Sequence, residues 1–153
     1  MASAIELPLR IEDELGTVLT DIVVTNRGDE IRSEAGIAGS STVRRIAIEA
    51  VLVDTGASTL CLPADLVARL GLPLKRKVLV TTAGGDVESG VYMDANVYVG
   101  DRSAVVECLA LPPGSRPLLG VIPMEMMGLE PDLKNQVLRL LPDDTHETYI
   151  MAY

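Results

Sequence analysis

Residues 51–63 read VLVDTGASTLCLP, an apolar run that ends abruptly in the carboxylate of Asp54 and resumes after five small or polar residues. The run 51–53 is apolar enough to be buried on both faces of a sheet. Gly56 and Ala57 are small, so a second backbone can approach closely. Burial raises the pKa of a carboxyl group, and a neighbouring carboxylate raises it further. The stretch therefore predicts that Asp54 is a partly buried acid–base group.

An ordinary turn is the alternative interpretation of the same tripeptide. Asp hydrogen-bonds its own backbone in such turns, and Gly supplies a left-handed position. Taken alone, Asp-Thr-Gly favours the turn. Its apolar flanks on both sides favour the chemical role of Asp54.

Composition limits the class of protein. A length of 153 residues predicts one domain over 1–153 with a single hydrophobic core. The chain is 48% hydrophobic without Trp or Phe, so Val, Leu, Ile, Ala and Met must build that core. A net charge of −9 without a basic run argues against nucleic-acid and membrane-surface partners. The sequence also lacks a membrane span and a signal-peptide core, so we expect a cytoplasmic protein.

Neither the cysteines nor the histidine form a recognisable catalytic or metal-binding set. Cys61 and Cys108 lie in apolar runs, which predicts reduced core residues. His146 is the only histidine and lies in a polar tail. We expect no Ser-His or Cys-His catalytic set, no metal site and no cofactor.

Hydrophobic periodicity predicts a mostly β chain with two short helices. The first helix begins with Pro63 and ends before Gly71, and the second is Met-rich and follows Gly120. Residues 26–41 are polar and Gly-rich, which predicts a long, mobile loop. Single strands are predicted at 17–25, 42–53, 118–119 and 136–141. A first hairpin is predicted over 78–92 with its turn at 83–86, and a second from 93–99 and 104–111.

Two motifs together resemble the retropepsin-like aspartic proteases, in particular their small single-domain prokaryotic members. The first is Leu52-Val53-Asp54-Thr55-Gly56-Ala57-Ser58, and the second is Leu118-Leu119-Gly120. A Gly-tipped hairpin lies between them, and the resemblance covers about residues 17–141. It implies a closed β-barrel with ψ-type loops, a flap hairpin and two short helices. It also implies an aspartic endopeptidase, which hydrolyses peptide bonds.

The chemistry of this family requires two carboxylates that share one proton. This chain has one motif, because Asp143-Asp144-Thr145 is followed by His146 rather than Gly. The resemblance therefore implies a homodimer in which two copies of Asp54 form the dyad. It also assigns Thr55 to bracing the two loops and Gly56 to binding the substrate backbone.

The resemblance further implies a peptide or protein substrate and a set of residues that bind it. Ala57 and Ser58 would line the cleft, and Gly84 and Gly85 would close over the peptide. The apolar pocket walls would be Val80, Val91, Leu118 and Leu119. Each feature also has a simpler interpretation, since Gly84-Gly85 is suited to any hairpin turn and Leu118-Leu119-Gly120 to a core strand ending at a bend.

The sequence departs from the retroviral members at two charged positions. Those proteins carry an acidic residue and an Arg, which help hold their dimers, where this chain has Ser58 and Val121. Within the tail 142–153, residues 149–151 suit either a strand at the dimer interface or a frayed end. A dimerisation or peptide-binding module with little turnover is therefore the alternative function.

Overall fold

The computed structural model describes residues 3–6, 16–39 and 42–142. Most of the elements in these ranges are strands, which confirms the mostly β prediction. The strands are β1 (Ser3–Glu6), β2 (Leu19–Asn26), β3 (Arg45–Val53), β4 (Leu60–Pro63), β5 (Leu74–Thr82), β6 (Gly85–Val99), β7 (Arg102–Leu111), β8 (Leu118–Leu119), β9 (Leu129–Asp132) and β10 (Val137–Leu140). The helices are α1 (Arg27–Glu34), α2 (Ala64–Leu70) and α3 (Val121–Met127).

The larger sheet closes on itself. Its strand order is β2-β3-β8-β4-β7-β6-β5, and β2 also pairs with β6. This extra pairing joins six strands into a ring and leaves β5 paired with β6, outside the ring, which confirms the predicted closed barrel. The antiparallel sheet β1-β10-β9 is separate.

Strand β8 is short but central to the topology. It pairs in parallel with β3 and antiparallel with β4, so it lies between two strands that follow one another in the chain. This arrangement is a ψ-type loop. It places Leu118-Leu119 beside the segment that joins β3 to β4 and contains Asp54.

Aliphatic side chains fill the interior of the barrel. Among the fully buried residues are Val18, Val24, Val51, Leu60, Leu62, Leu70, Val97, Leu119 and Leu138. Both cysteines are free and buried, as predicted. Burial raises the pKa of the Cys61 thiol to about 11, with a smaller contribution from the charge of Asp54. In the described part of the chain, no helix is long and apolar enough to cross a membrane.

A bulge in β3 interrupts the regular side-chain alternation of this strand, opposite residues 20–22 of β2. Ala50 has a φ of 55°, and its N–H donates to Asp21 Oδ1 at 2.9 Å. The bulge shifts the alternation by one residue. Val51 and Val53 therefore face the core, whereas Leu52 is only half-buried.

The prediction of a long loop over 26–41 is wrong, because the first part of this segment forms α1. The Asn26 side chain caps the helix by accepting from the Asp29 N–H at 3.0 Å. Asp29 and Glu30 lie in the first turn, where their negative charges interact favourably with the positive end of the helix dipole. The described residues thus contain three helices rather than the predicted two.

The two hairpins and the two predicted helices are confirmed, with adjusted ends. Thr82 pairs with Gly85, so the first hairpin turn is shorter than the predicted 83–86. Helix α2 begins one residue after Pro63 and ends at Gly71, which has a φ of 62°. Strands β1, β4 and β9 were not predicted. His146 and the proposed contact at 149–151 lie outside the described residues.

Candidate active site

The segment between β3 and β4 holds Asp54 in a tight turn. The Asp54 N–H donates to the Leu119 carbonyl at 3.0 Å, and the Ala57 N–H donates to the Asp54 carbonyl at 3.1 Å. The Asp54 side chain is oriented in turn, since its Oδ1 accepts from the Gly56 N–H at 2.8 Å. The two interpretations of the sequence are therefore compatible, because Asp54 lies in a turn and that turn follows a buried strand.

The second sequence motif and the residues that follow it contact the backbone of this turn. The Val121 N–H donates to the Ala57 carbonyl at 2.9 Å, and the Ile122 N–H donates to the Ser58 carbonyl at 3.0 Å. A Cβ atom on Gly120 would lie 2.4 Å from the Thr59 carbonyl oxygen, so only glycine fits between the two backbones. The two motifs, sixty residues apart in the sequence, are in direct contact.

The turn is presented at the surface of the protomer. Asp54 is half-buried, whereas Thr55 and Gly56 are exposed. Ala57 is half-buried and Ser58 is exposed. The carboxylate thus has access to a reactant while its backbone is fixed by β8.

The other predicted substrate-binding residues are at different depths. Gly84 and Gly85 are exposed at the tip of the β5–β6 hairpin. Val80 and Leu118 are half-buried, and Val91 is buried near the root of the hairpin. Leu119 is fully buried in the barrel core, so its side chain supports the turn from inside the protomer.

A groove of about 580 Å³ begins beside the turn. We call it the hairpin-root groove, because one wall is the root of the β5–β6 hairpin. It contains the predicted residues Ser58 and Val91. The other residues that line it were not predicted from the sequence, and they are Thr59, Arg76, Val78, Val105, Val106, Glu107, Leu109, Ile122 and Met126.

Part of this set had a signal in the sequence. Val105, Glu107 and Leu109 alternate along β7, and Ile122 and Met126 are four residues apart on α3. Periodicity predicts which residues share a face of an element. It contains no information on how β5, β7 and α3 meet.

A charged cluster lies at one end of the groove. Glu107 forms an ion pair and a hydrogen bond with Lys75, and Arg76 Nη2 is 3.7 Å from Glu107 Oε2. The hydrogen bond from Lys75 lowers the pKa of Glu107 below its ordinary value. The Thr59 hydroxyl donates to the Glu107 carbonyl at 2.6 Å, which ties β7 to the segment after Asp54.

Among the described residues, no group of three or more His, Cys, Asp or Glu side chains is placed to hold a metal ion.

A family model described as aspartyl protease matches residues 36–124, which is more than half of the chain. The match spans Asp54, the β5–β6 hairpin and Gly120, and it confirms the resemblance based on the two motifs. No curated protein matches the sequence of the chain. Among solved structures, the chain is similar to the solution structure of the simian foamy virus (mac) protease. The TM-score is 0.43 and the identity 18%, over 70% of this chain and 91% of that chain.

Proposed function

The chain belongs to the aspartyl protease family, and we propose that it is an endopeptidase whose Asp54 acts together with Asp54 of a second copy. The observation that carries this proposal is the geometry of the turn. Asp54 is half-buried and oriented by the Gly56 N–H at 2.8 Å, and exposed residues adjoin it. One chain supplies one such carboxylate, and a two-fold axis beside the turn would supply the other.

In the proposed reaction, the two carboxylates share a proton, because two adjacent negative charges are unfavourable. The ionised carboxylate removes a proton from a water molecule, and the resulting hydroxide attacks the carbonyl carbon of the peptide. The protonated carboxylate donates to the carbonyl oxygen. Collapse of the tetrahedral intermediate then breaks the C–N bond, and the leaving nitrogen takes up a proton.

The remaining predicted residues have binding and positioning roles in this proposal. Thr55 braces the two turns across the axis, and Gly56 contacts the substrate backbone. The hairpin tip at Gly84 and Gly85 closes over an extended peptide. Ala57, Ser58, Val80, Val91 and Leu118 form the walls, with Leu119 beneath them.

Substitution of Asp54 by Asn tests the proposal. We expect the cleavage rate on an unfolded protein substrate, measured from mildly acid to neutral pH, to fall by ~10³-fold or more. Asp65→Asn is the matched control, because Asp65 is an exposed carboxylate on α2 and its loss changes the net charge equally. Circular dichroism checks that both variants fold.

Cleavage by Asp54→Asn at the wild-type rate would contradict the proposal. So would a wild-type protein that binds peptides but cleaves none at any pH, a result that would support the non-catalytic module instead.

A further inference from the structure

The hairpin-root groove is continuous with the catalytic turn but extends away from it. Ser58 and Thr59 line the end nearest Asp54. Arg76 on β5 lies six residues before Thr82 at the hairpin turn. At the rise of an extended strand, this separation is about 20 Å. Arg76 is therefore at the opposite end of the hairpin from the tip that would close over the peptide.

The groove exposes large apolar side chains. Val105 is 43% exposed, Ile122 49% and Met126 56%. Val105 and Leu109 are on the outward face of β7, because the residues that alternate with them are buried in the barrel. A concavity with several exposed apolar side chains is typical of a binding site, and Met adapts its shape to different partners.

The charged end of the groove has an excess of positive charge. Lys75 and Arg76 flank the single carboxylate of Glu107. At 3.7 Å, the contact between Arg76 and Glu107 is longer than a hydrogen bond, and the Arg76 side chain is 55% exposed. Its guanidinium therefore has donors available for a carboxylate of a bound molecule.

We propose that the hairpin-root groove binds a segment of the substrate beyond the residues that lie beneath the hairpin tip. An aliphatic side chain of that segment packs against Ile122 and Met126, and a neighbouring acidic side chain pairs with Arg76. The inference rests on the proposed function, because it assigns part of the same substrate to the groove. Continuity with the turn at Ser58 and Thr59 favours a substrate over a second copy as the occupant.

Matched peptides test the charge preference. Two fluorescent peptides share a cleavable segment and a distal aliphatic residue, and the residue beside it is Glu in one and Lys in the other. Their binding is measured on the Asp54→Asn protein, and their cleavage is measured on the protein with Asp54 intact. We expect the Glu peptide to bind ~3- to 10-fold more tightly. Arg76→Glu should reverse this preference.

Lys77→Glu is the matched control. Lys77 is the next residue on β5 and pairs with Glu88 on β6, outside the groove. We expect this variant to keep the wild-type ratio between the two peptides. Equal binding of both peptides, or an Arg76→Glu variant with an unchanged ratio, would overturn the inference.

Ile122→Gln tests the apolar part of the groove, because it adds a polar group without adding a charge. We expect it to weaken binding of the Glu peptide by ~10-fold, with an unchanged sedimentation coefficient. A change in the oligomeric state instead would identify the groove as a contact between copies and overturn the inference.

The two proposals fail separately. Cleavage of both peptides without a charge preference would contradict only the proposed role of the groove. Binding with the preference, but without cleavage by the protein with Asp54 intact, overturns the proposed function alone.

Discussion

At the scale of single residues, Gly120 shows how two short motifs become one site. A Cβ at this position would lie 2.4 Å from the Thr59 carbonyl oxygen and 2.6 Å from that of Ala57. Both atoms belong to the backbone of the catalytic turn, so the clash cannot be relieved by rotation of a side chain. We predict that Gly120→Ala lowers the free energy of unfolding by about 2 kcal/mol or more. It should also reduce activity, because the turn that holds Asp54 must move.

Chemical denaturation and the rate of peptide cleavage check this prediction. Gly28→Ala on α1 is the control, since its Cβ would meet one atom, a side-chain oxygen of Asn26, at 3.2 Å. A helical Gly→Ala change also gains helix propensity, so we expect a change within ~1 kcal/mol. Wild-type stability and activity in Gly120→Ala would show that the two backbones can separate at little cost.

The residues of the turn were predictable because the motif is local. Asp54, Thr55 and Gly56 are consecutive, and their apolar flanks distinguish them from an ordinary turn. Arg76 and Ile122 had no comparable signal, because their contribution to the groove depends on how β5 and α3 are placed in space.

At the scale of elements, α1 is the clearest failure of the sequence prediction. Its polar and Gly-rich sequence predicted a mobile loop, yet Glu30 has partners on both β2 and β6. Glu30 accepts from the Thr25 hydroxyl at 2.8 Å, from Asn96 Nδ2 at 2.8 Å and from the Tyr98 hydroxyl at 2.5 Å. Composition reports polarity, whereas these bonds depend on the pairing of β2 with β6, which closes the barrel.

Asp29 anchors the first turn of α1 and is only 3% exposed. Its Oδ2 accepts from Arg44 N at 3.0 Å and from Arg44 Nε at 2.8 Å, and its Oδ1 bonds Arg32. The hydrogen bonds from Arg44 lower the pKa of Asp29 from 3.8 to about 2. A carboxyl group with a depressed pKa in the folded state stabilises the fold above its unfolded pKa. That contribution is lost as the pH falls through the folded value.

We predict that Asp29→Asn destabilises the protein by about 1 to 2 kcal/mol at neutral pH, a range that allows for the exposure of both Arg partners. The difference from wild type should shrink as the pH falls from about 4 to about 2, because the wild-type carboxylate is protonated in that window. Urea unfolding of both proteins across this pH range measures the difference in stability. Asp101→Asn, on the turn between β6 and β7, controls for the change in net charge. A difference that stays constant with pH would contradict the role of the Asp29 charge.

At the scale of the molecule, local sequence patterns predicted the hairpins of the barrel better than the strand pairings that close it. The hairpins were predicted because their turns and alternation are contained in contiguous sequence. The β2–β6 pairing and the position of β8 between β3 and β4 are contacts between distant segments. For these contacts the resemblance, rather than periodicity, supplied the expectation of a closed barrel.

Ser58 and Val121 are uncharged, unlike the corresponding residues of the retroviral members. The turn is nevertheless well supported within one protomer. The backbone of both residues still takes part, through the bonds Ile122 N–H to Ser58 carbonyl and Val121 N–H to Ala57 carbonyl. These bonds fix the turn without any ion pair. They do nothing, however, to join two copies, so the proposed dimer depends on contacts such as those of exposed Thr55.

Mixing subunits tests whether catalysis requires Asp54 from two copies. We combine wild-type protein with the Asp54→Asn variant at constant total concentration and allow the copies to exchange. If each site takes one carboxylate from each copy, equal amounts should leave roughly a quarter of the wild-type activity, because only pairs of two wild-type copies are active. A protomer that acts alone would retain roughly half, since its activity follows the fraction of wild-type chains. Dilution of the wild type should also lower the activity per chain as dimers dissociate. An activity that is linear in the wild-type fraction and unaffected by dilution would refute the shared dyad while leaving the family assignment intact.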